Sequence, residues 1–207
     1  MPEASSAFSG CSSLTKVTIG ADSQLKTIGT YAFSNCNALT SIYIPATTTQ
    51  INDHAFQNCK SLIAVTVADG SQLTAIGSSA FNGCVSLTSV KFGADSHLKT
   101  IGSSAFYSCK ALSVINLPST VTSIGSYAFY SCASLTDLDF SVNLTRIESY
   151  GLSGCTSLSA IHYDGTTAQW TTAAASFHNS WNNSTGQYTV HCIDGTVAKD
   201  GTITPLG

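Results

Sequence analysis

Charge is what this 207-residue sequence has least of: Asp, Glu, Lys and Arg make up 9% of it, against about 25% in ordinary globular proteins. Ser, Thr, Asn and Gln must therefore supply most of the wetted surface. Disorder is excluded by the same figures. A disordered chain combines low hydrophobicity with high net charge, whereas this one is 43% hydrophobic with a net charge of -3. With no basic excess there is no stripe of Lys and Arg to neutralise phosphates, so nucleic acid is not expected as a partner. No run of about 18 apolar residues occurs, as a spanning helix requires, so membrane insertion is not expected either. The opening "MPEASSAF" carries neither the basic nor the apolar region of a signal peptide.

What the sequence does have is a period. Phe8, Phe33, Phe56, Phe81, Phe106, Phe129 and Leu152 follow one another at 25, 23, 25, 25, 23 and 23 residues. A self-similar period of this length is the mark of a solenoid, in which each unit stacks on its neighbours. Seven of the eight cysteines keep step, from Cys11 through Cys36, Cys59, Cys84, Cys109 and Cys132 to Cys155, each three residues after its Phe or Leu. A Leu follows three residues later, and at six and eight residues after Cys stand apolar pairs such as Val17 and Ile19, or Ile115 and Leu117. That alternation predicts a short strand whose inward residues are the pair. Further pairs three apart, such as Leu98 and Ile101, turn a second side of each coil inward. The Ser-Ser-Ala-Phe-x-x-Cys segment predicts one short helical turn with a capping hydroxyl. The longer coils differ by two residues in a wide turn, as in "GADSQ" (20–24) against "PAT" (45–47).

In "AFSNCNALTSIYIP" and "AFYSCKALSVINLPSTVTSIGSYAF" the sequence resembles the BspA-type leucine-rich repeats, over residues 7 to about 163. The resemblance implies a leucine-rich-repeat solenoid of about seven coils of 23–25 residues, a parallel β-sheet with short helical turns. It also implies a non-catalytic binding or adhesion module at the cell surface or outside the cell, with a host or matrix protein or glycan as partner and no cofactor. The tail, in "IHYDGTTAQW" and "YTVHCIDGT", resembles a closing segment found after such repeats. We therefore expect residues 1–163 to form the solenoid, with an incomplete N-terminal coil, and 164–207 an α+β cap. "TAQWTTAAASF" (167–177) reads as a helix, "QYTVHCI" (187–193) as a strand, and Asp194-Gly195 and Asp200-Gly201 as tight turns. Because the first repeat starts midway through its pattern, we expect the chain to be a fragment. We also expect residues 1–6 to be disordered or in contact with a second molecule, so that the uncapped coil supports self-association.

A cysteine repeated in every coil is a core thiol rather than a nucleophile, because catalysis needs one site with a base beside it. Disulfides between coils are disfavoured, since stacked side chains point the same way. His191 and Cys192 are adjacent in a strand and face opposite sides. His162 and Asp164 share a face but lack a third ligand for a metal. His54, His97 and His178 read as solvated loop residues, and Asp22, Asp69 and Asp95 as turn residues bonding their own backbone two residues on. Thr48, where other coils have Leu or Val, predicts a less well packed second coil. No catalytic or metal site is expected. The candidate surface is the outward row seven residues after each Cys: Thr18, Tyr43, Thr66, Lys91, Asn116, Asp139 and His162, flanked by Asp137 and Asp164. The competing reading is a spacer that displays another domain, for which small polar residues along the row would suffice.

Overall fold

The computed structural model describes residues 5–20 and 22–206, and the part of the N-terminal expectation that falls on residues 1–4 lies outside them. Six principal strands carry the period-two pattern: β2 (Ser41–Ile44), β4 (Ala64–Val67), β6 (Ser89–Lys91), β8 (Val114–Ile115), β10 (Asp137–Phe140) and β12 (Ala160–Tyr163). Except between β8 and β10, each pairs in parallel with the next in unshifted register, Ile42 beside Val65 beside Val90 beside Ile115, and Leu138 beside Ile161. The run is not one sheet, as the sequence led us to expect. It falls into a four-stranded block ending at β8 and a second block starting at β10. The pairs three apart form a further parallel sheet of six two-residue strands, β1 (Thr27–Ile28), β3 (Gln50–Ile51), β5 (Ala75–Ile76), β7 (Thr100–Ile101), β9 (Ser123–Ile124) and β11 (Arg146–Ile147). Their isoleucines seal the core from that side.

The third edge of each coil is not helical. Residues two before and two after each Phe take left-handed backbone: Tyr31 and Asn35, His54 and Asn58, Ser79 and Gly83, Ser104 and Ser108, Tyr127 and Ser131, Tyr150 and Gly154. This alternation sorts the amides into two sets. Cys36 N–H closes a turn on Phe33 C=O within its coil, while Tyr31, Phe33 and Asn35 N–H donate to Asp53, Ala55 and Gln57 of the next one. The same three links recur from coil to coil, so the edge is bonded without helix or strand.

Inside it, the phenylalanine rings stack from Phe8 to Phe129 at 5.1–5.3 Å with planes within 6°. Phe56, Phe81, Phe106 and Phe129 are fully buried, each side chain stabilising the fold by about 1.5–3 kcal/mol. The thiols form a parallel ladder. Each of Cys36, Cys59, Cys84, Cys109, Cys132 and Cys155 donates its S–H to the Phe carbonyl of the preceding coil at 3.1–3.2 Å, and all eight cysteines are free. Gly102 permits the coils to approach, for a Cβ there would lie 2.7 Å from the Gly77 carbonyl carbon.

Two local expectations are overturned. Thr48 is fully buried and loses nothing in packing, because its hydroxyl donates to Leu25 C=O at 3.1 Å. In the wide turns it is Ser23, Ser71 and Ser96 that accept from the backbone two residues on. Asp69 instead reaches across to Ala94 N–H at 2.8 Å in the next coil. Of the three loop histidines, His97 and His178 are exposed as expected, though His97 meets Ser71 C=O and His178 the Ser180 hydroxyl, while His54 is half-buried and stacks on Tyr31.

After the last coil comes α1 (Thr167–Ala175), held by a capping box between Thr166 and Gln169. Its Trp170 packs against Tyr163, Phe177 and Trp181. Residues 178–184 then reproduce a coil edge in a different sequence. His178 N–H donates to Ile147 C=O, Leu152 N–H to Trp181 C=O and Gly154 N–H to Asn183 C=O, and Ser184 takes the left-handed turn. The strand β13 (Thr189–Cys192) adds to β12 in parallel, and β14 (Gly195–Ala198) and β15 (Ile203–Pro205) follow antiparallel.

Candidate functional site

Alternation along the principal strands places the residues six and eight after Cys inward and the seventh outward. Thr18, Tyr43, Thr66, Lys91, Asn116, Asp139 and His162 are all exposed. Register sets Tyr43 beside Thr66, Thr66 beside Lys91, and Asp139 beside His162. Asn116 lies just past the end of β8, where the two blocks part. The row therefore has two stretches, Tyr43 to Lys91 on one block and Asp139 onward on the other.

The second stretch is chemically denser. His162 Nε2 lies 3.7 Å from Asp137 Oδ1 on the neighbouring strand, both side chains about half exposed. The row also continues one residue further than the sequence indicated. His191 pairs in register with His162, the rings 5.4 Å apart, and is exposed like the rest. In the sequence its evident neighbour is Cys192, which faces the other way. The signal that could have found it is the alternation of Tyr188, Val190 and Cys192, the inward set of one more strand. Asp139, His162, Asp164, His191, Cys192 and Ile193 help to line an open cleft of about 440 Å³.

Asp164 is less free than the other candidates, since its Oδ1 accepts from Val142 N–H at 2.6 Å and so ties one coil to the last. Burial, with Asp194 nearby, pushes the Cys192 thiol above its ordinary pKa, which works against a reactive thiolate. Among the described residues no group of three His, Cys, Asp or Glu side chains could hold a metal ion, and no helix is long and apolar enough to cross a membrane. What the arrangement offers is a shallow surface of hydrogen-bonding and ionisable groups along a rigid row.

The model of the BspA-type leucine-rich repeat region matches residues 4–96 and 74–187, in six copies. The chain belongs to the BspA-type leucine-rich repeat family. No curated protein matches it. Among solved structures, this BspA-type chain is similar to a leucine-rich cell surface protein of Faecalibacterium prausnitzii at 28% identity and a TM-score of 0.59, covering 93% of this chain and 52% of that one. It is similar to a leucine-rich repeat protein of T. pallidum at 27% identity and a TM-score of 0.55, covering 59% and 57% respectively. A leucine-rich repeat protein from Eubacterium ventriosum matches at 25% identity and a TM-score of 0.59, over 68% of this chain and 37% of that one. The chain thus spans between 37% and 57% of these proteins' lengths. The BspA-type solenoid is a repeat scaffold, and function on a scaffold resides in its surface residues.

Proposed function

We propose that the chain is a non-catalytic binding module of a cell-surface or secreted protein, contacting a host or matrix protein or glycan through the outward strand row. The observation that carries this is the contrast between the two faces of one strand. Inward positions are Ile, Val, Leu or aromatic throughout, while the outward ones run through Thr, Tyr, Lys, Asn, Asp and His and end at an open cleft. The cell-surface description of the F. prausnitzii relative supports the location. A rigid row with no deep pocket favours many modest contacts over one anchored ligand.

The variant Y43A/K91A/D139A/H162A tests it. Each change is at an exposed site and should cost no more than about 0.5 kcal/mol, so the melting temperature should stay near that of the parent while attachment to host cells or matrix-coated surfaces weakens. Undiminished attachment would remove the row from consideration. The wide turns around Asp22, Asp69 and Asp95 would be examined next, and a chain that attaches nowhere would stand as a spacer.

A further inference from the structure

We propose that the turn edge of the last three coils is a second binding surface, fitted to an uncharged polysaccharide. Four tyrosines meet there in one chain of ring contacts: Tyr107 on Tyr130 at 5.0 Å, Tyr130 against Tyr127 at 5.6 Å, and Tyr127 on Tyr150 at 5.1 Å. Tyr127 is exposed and the other three are half-buried. None of the four hydroxyls has a hydrogen-bond partner among the described residues, although a tyrosine hydroxyl both donates and accepts. Around them stand Ser104, Ser108, Ser126, Ser131 and Ser149; no charged residue occurs in 102–109 or 125–132, the equivalent 148–155 holds only Glu148, and Lys110 follows at one end. Arg146 and Glu148, which lead into Tyr150, pair with each other.

The left-handed turn position that holds Tyr127 and Tyr150 is filled by Tyr31, His54, Ser79 and Ser104 in the earlier coils, all at φ of 54–59°. A ring there is thus compatible with the coil edge, but only in the last three coils do four rings join in one chain of contacts. The same small set, Tyr with Ser, recurs on surfaces selected for binding because the rings are rigid and the hydroxyls adaptable.

The uncharged character selects the partner. A phosphate-bearing or strongly charged polymer would find little counter-charge on this edge, where Arg146 is paired with Glu148 and Lys110 stands alone at one end. A neutral polysaccharide presents hydroxyls and C–H faces in alternation, which tyrosine edges and hydroxyls match.

The probes are four soluble neutral polymers, laminarin, dextran, yeast mannan and mixed-linkage β-glucan, each cast into a native gel through which the full chain migrates. At least one should retard it, equally at low and high salt. In Y107S/Y127S/Y130S/Y150S the apparent affinity should fall by about tenfold or more. Serine already occupies the equivalent turn at Ser79 and Ser104, so this variant should fold, as circular dichroism would check. The four-fold Tyr→Phe variant, which keeps the rings, should fall less. Y43A/K91A/D139A/H162A should migrate like the parent, which separates this surface from the strand row. Retardation by none of the four polymers, or equal retardation of parent and serine variant, overturns the proposal. Loss of attachment to a protein-coated surface by the serine variant, with no polymer bound, would also overturn it and assign the edge to a polypeptide.

Discussion

A thiol in the ladder is held in its neutral form by two features: no water reaches it, and its hydrogen is already given to a phenylalanine carbonyl. Desolvation accordingly pushes Cys36 from 9.0 up to about 11 and Cys155 up to about 12, and raises Cys84, Cys109 and Cys132 as well; Cys59 alone in the ladder is lowered, by its contact with the Cys84 thiol. A folded-state pKa above the unfolded one stabilises the fold while the thiol is neutral. That contribution is complete below 9.0 and is lost as pH rises from there through the folded values. The melting temperature should therefore be flat up to about pH 9 and decline above it, with a shallower decline in Cys155→Ala measured by calorimetry. A maleimide should find the six ladder thiols unreactive in the folded protein, and all should react in denaturant without a reductant.

At the scale of the element, the last coil depends on a segment that is a coil in bonding but not in sequence. Trp181 is the hinge of this arrangement, since its carbonyl accepts from Leu152 N–H while its ring packs on Trp170, Phe177 and Tyr188. Trp181→Ala should cost about 3–5 kcal/mol in urea unfolding. Hydrogen exchange should quicken first at Leu152 and Gly154 and leave Phe56 and Phe81 protected, because each coil contacts only its neighbours. Much of this was legible beforehand where one side chain repeats in one role, as with the Phe, Cys and inward strand pairs. The helix of the cap and the turns at Asp194 and Asp200 were legible for the same reason, being set by local chemistry. The left-handed turns were hidden because Tyr, Asn, His, Ser and Gly all fill them, so no residue type marks the position. Residues 178–184 were hidden because backbone bonding there needs no Ala-Phe, and His191 because only the pairing of β13 with β12 puts it on the row.

For the molecule as a whole, the turn edge has a consequence in electrostatics. Each peptide unit there accepts from the coil before and donates to the coil after. Phe8 N–H meets Ala32 C=O, Phe33 N–H meets Ala55 C=O, and so on to Leu152 N–H and Trp181 C=O. Three such files of aligned dipoles run the length of the stack, each bond polarising the next. Their sum leaves the N-terminal end negative and the C-terminal end positive, the reverse of an α-helix. The first described coil accordingly turns the carbonyls of Ser5, Ala7 and Ser9 outward, equivalent in position to those of Thr30, Ala32 and Ser34, which accept from Ser6, Phe8 and Gly10. Two copies meeting at these ends would set carbonyl against carbonyl, so the apolar surface around Phe8 can be covered head to tail but not head to head. At the other end the cap accepts from Leu152 and Gly154 through Trp181 C=O and Asn183 C=O. Dipole direction thus disfavours head-to-head association through the first coil, and sedimentation equilibrium at rising concentration should show no two-fold dimer. A two-fold dimer joined at Phe8 would show that the dipole files do not govern assembly.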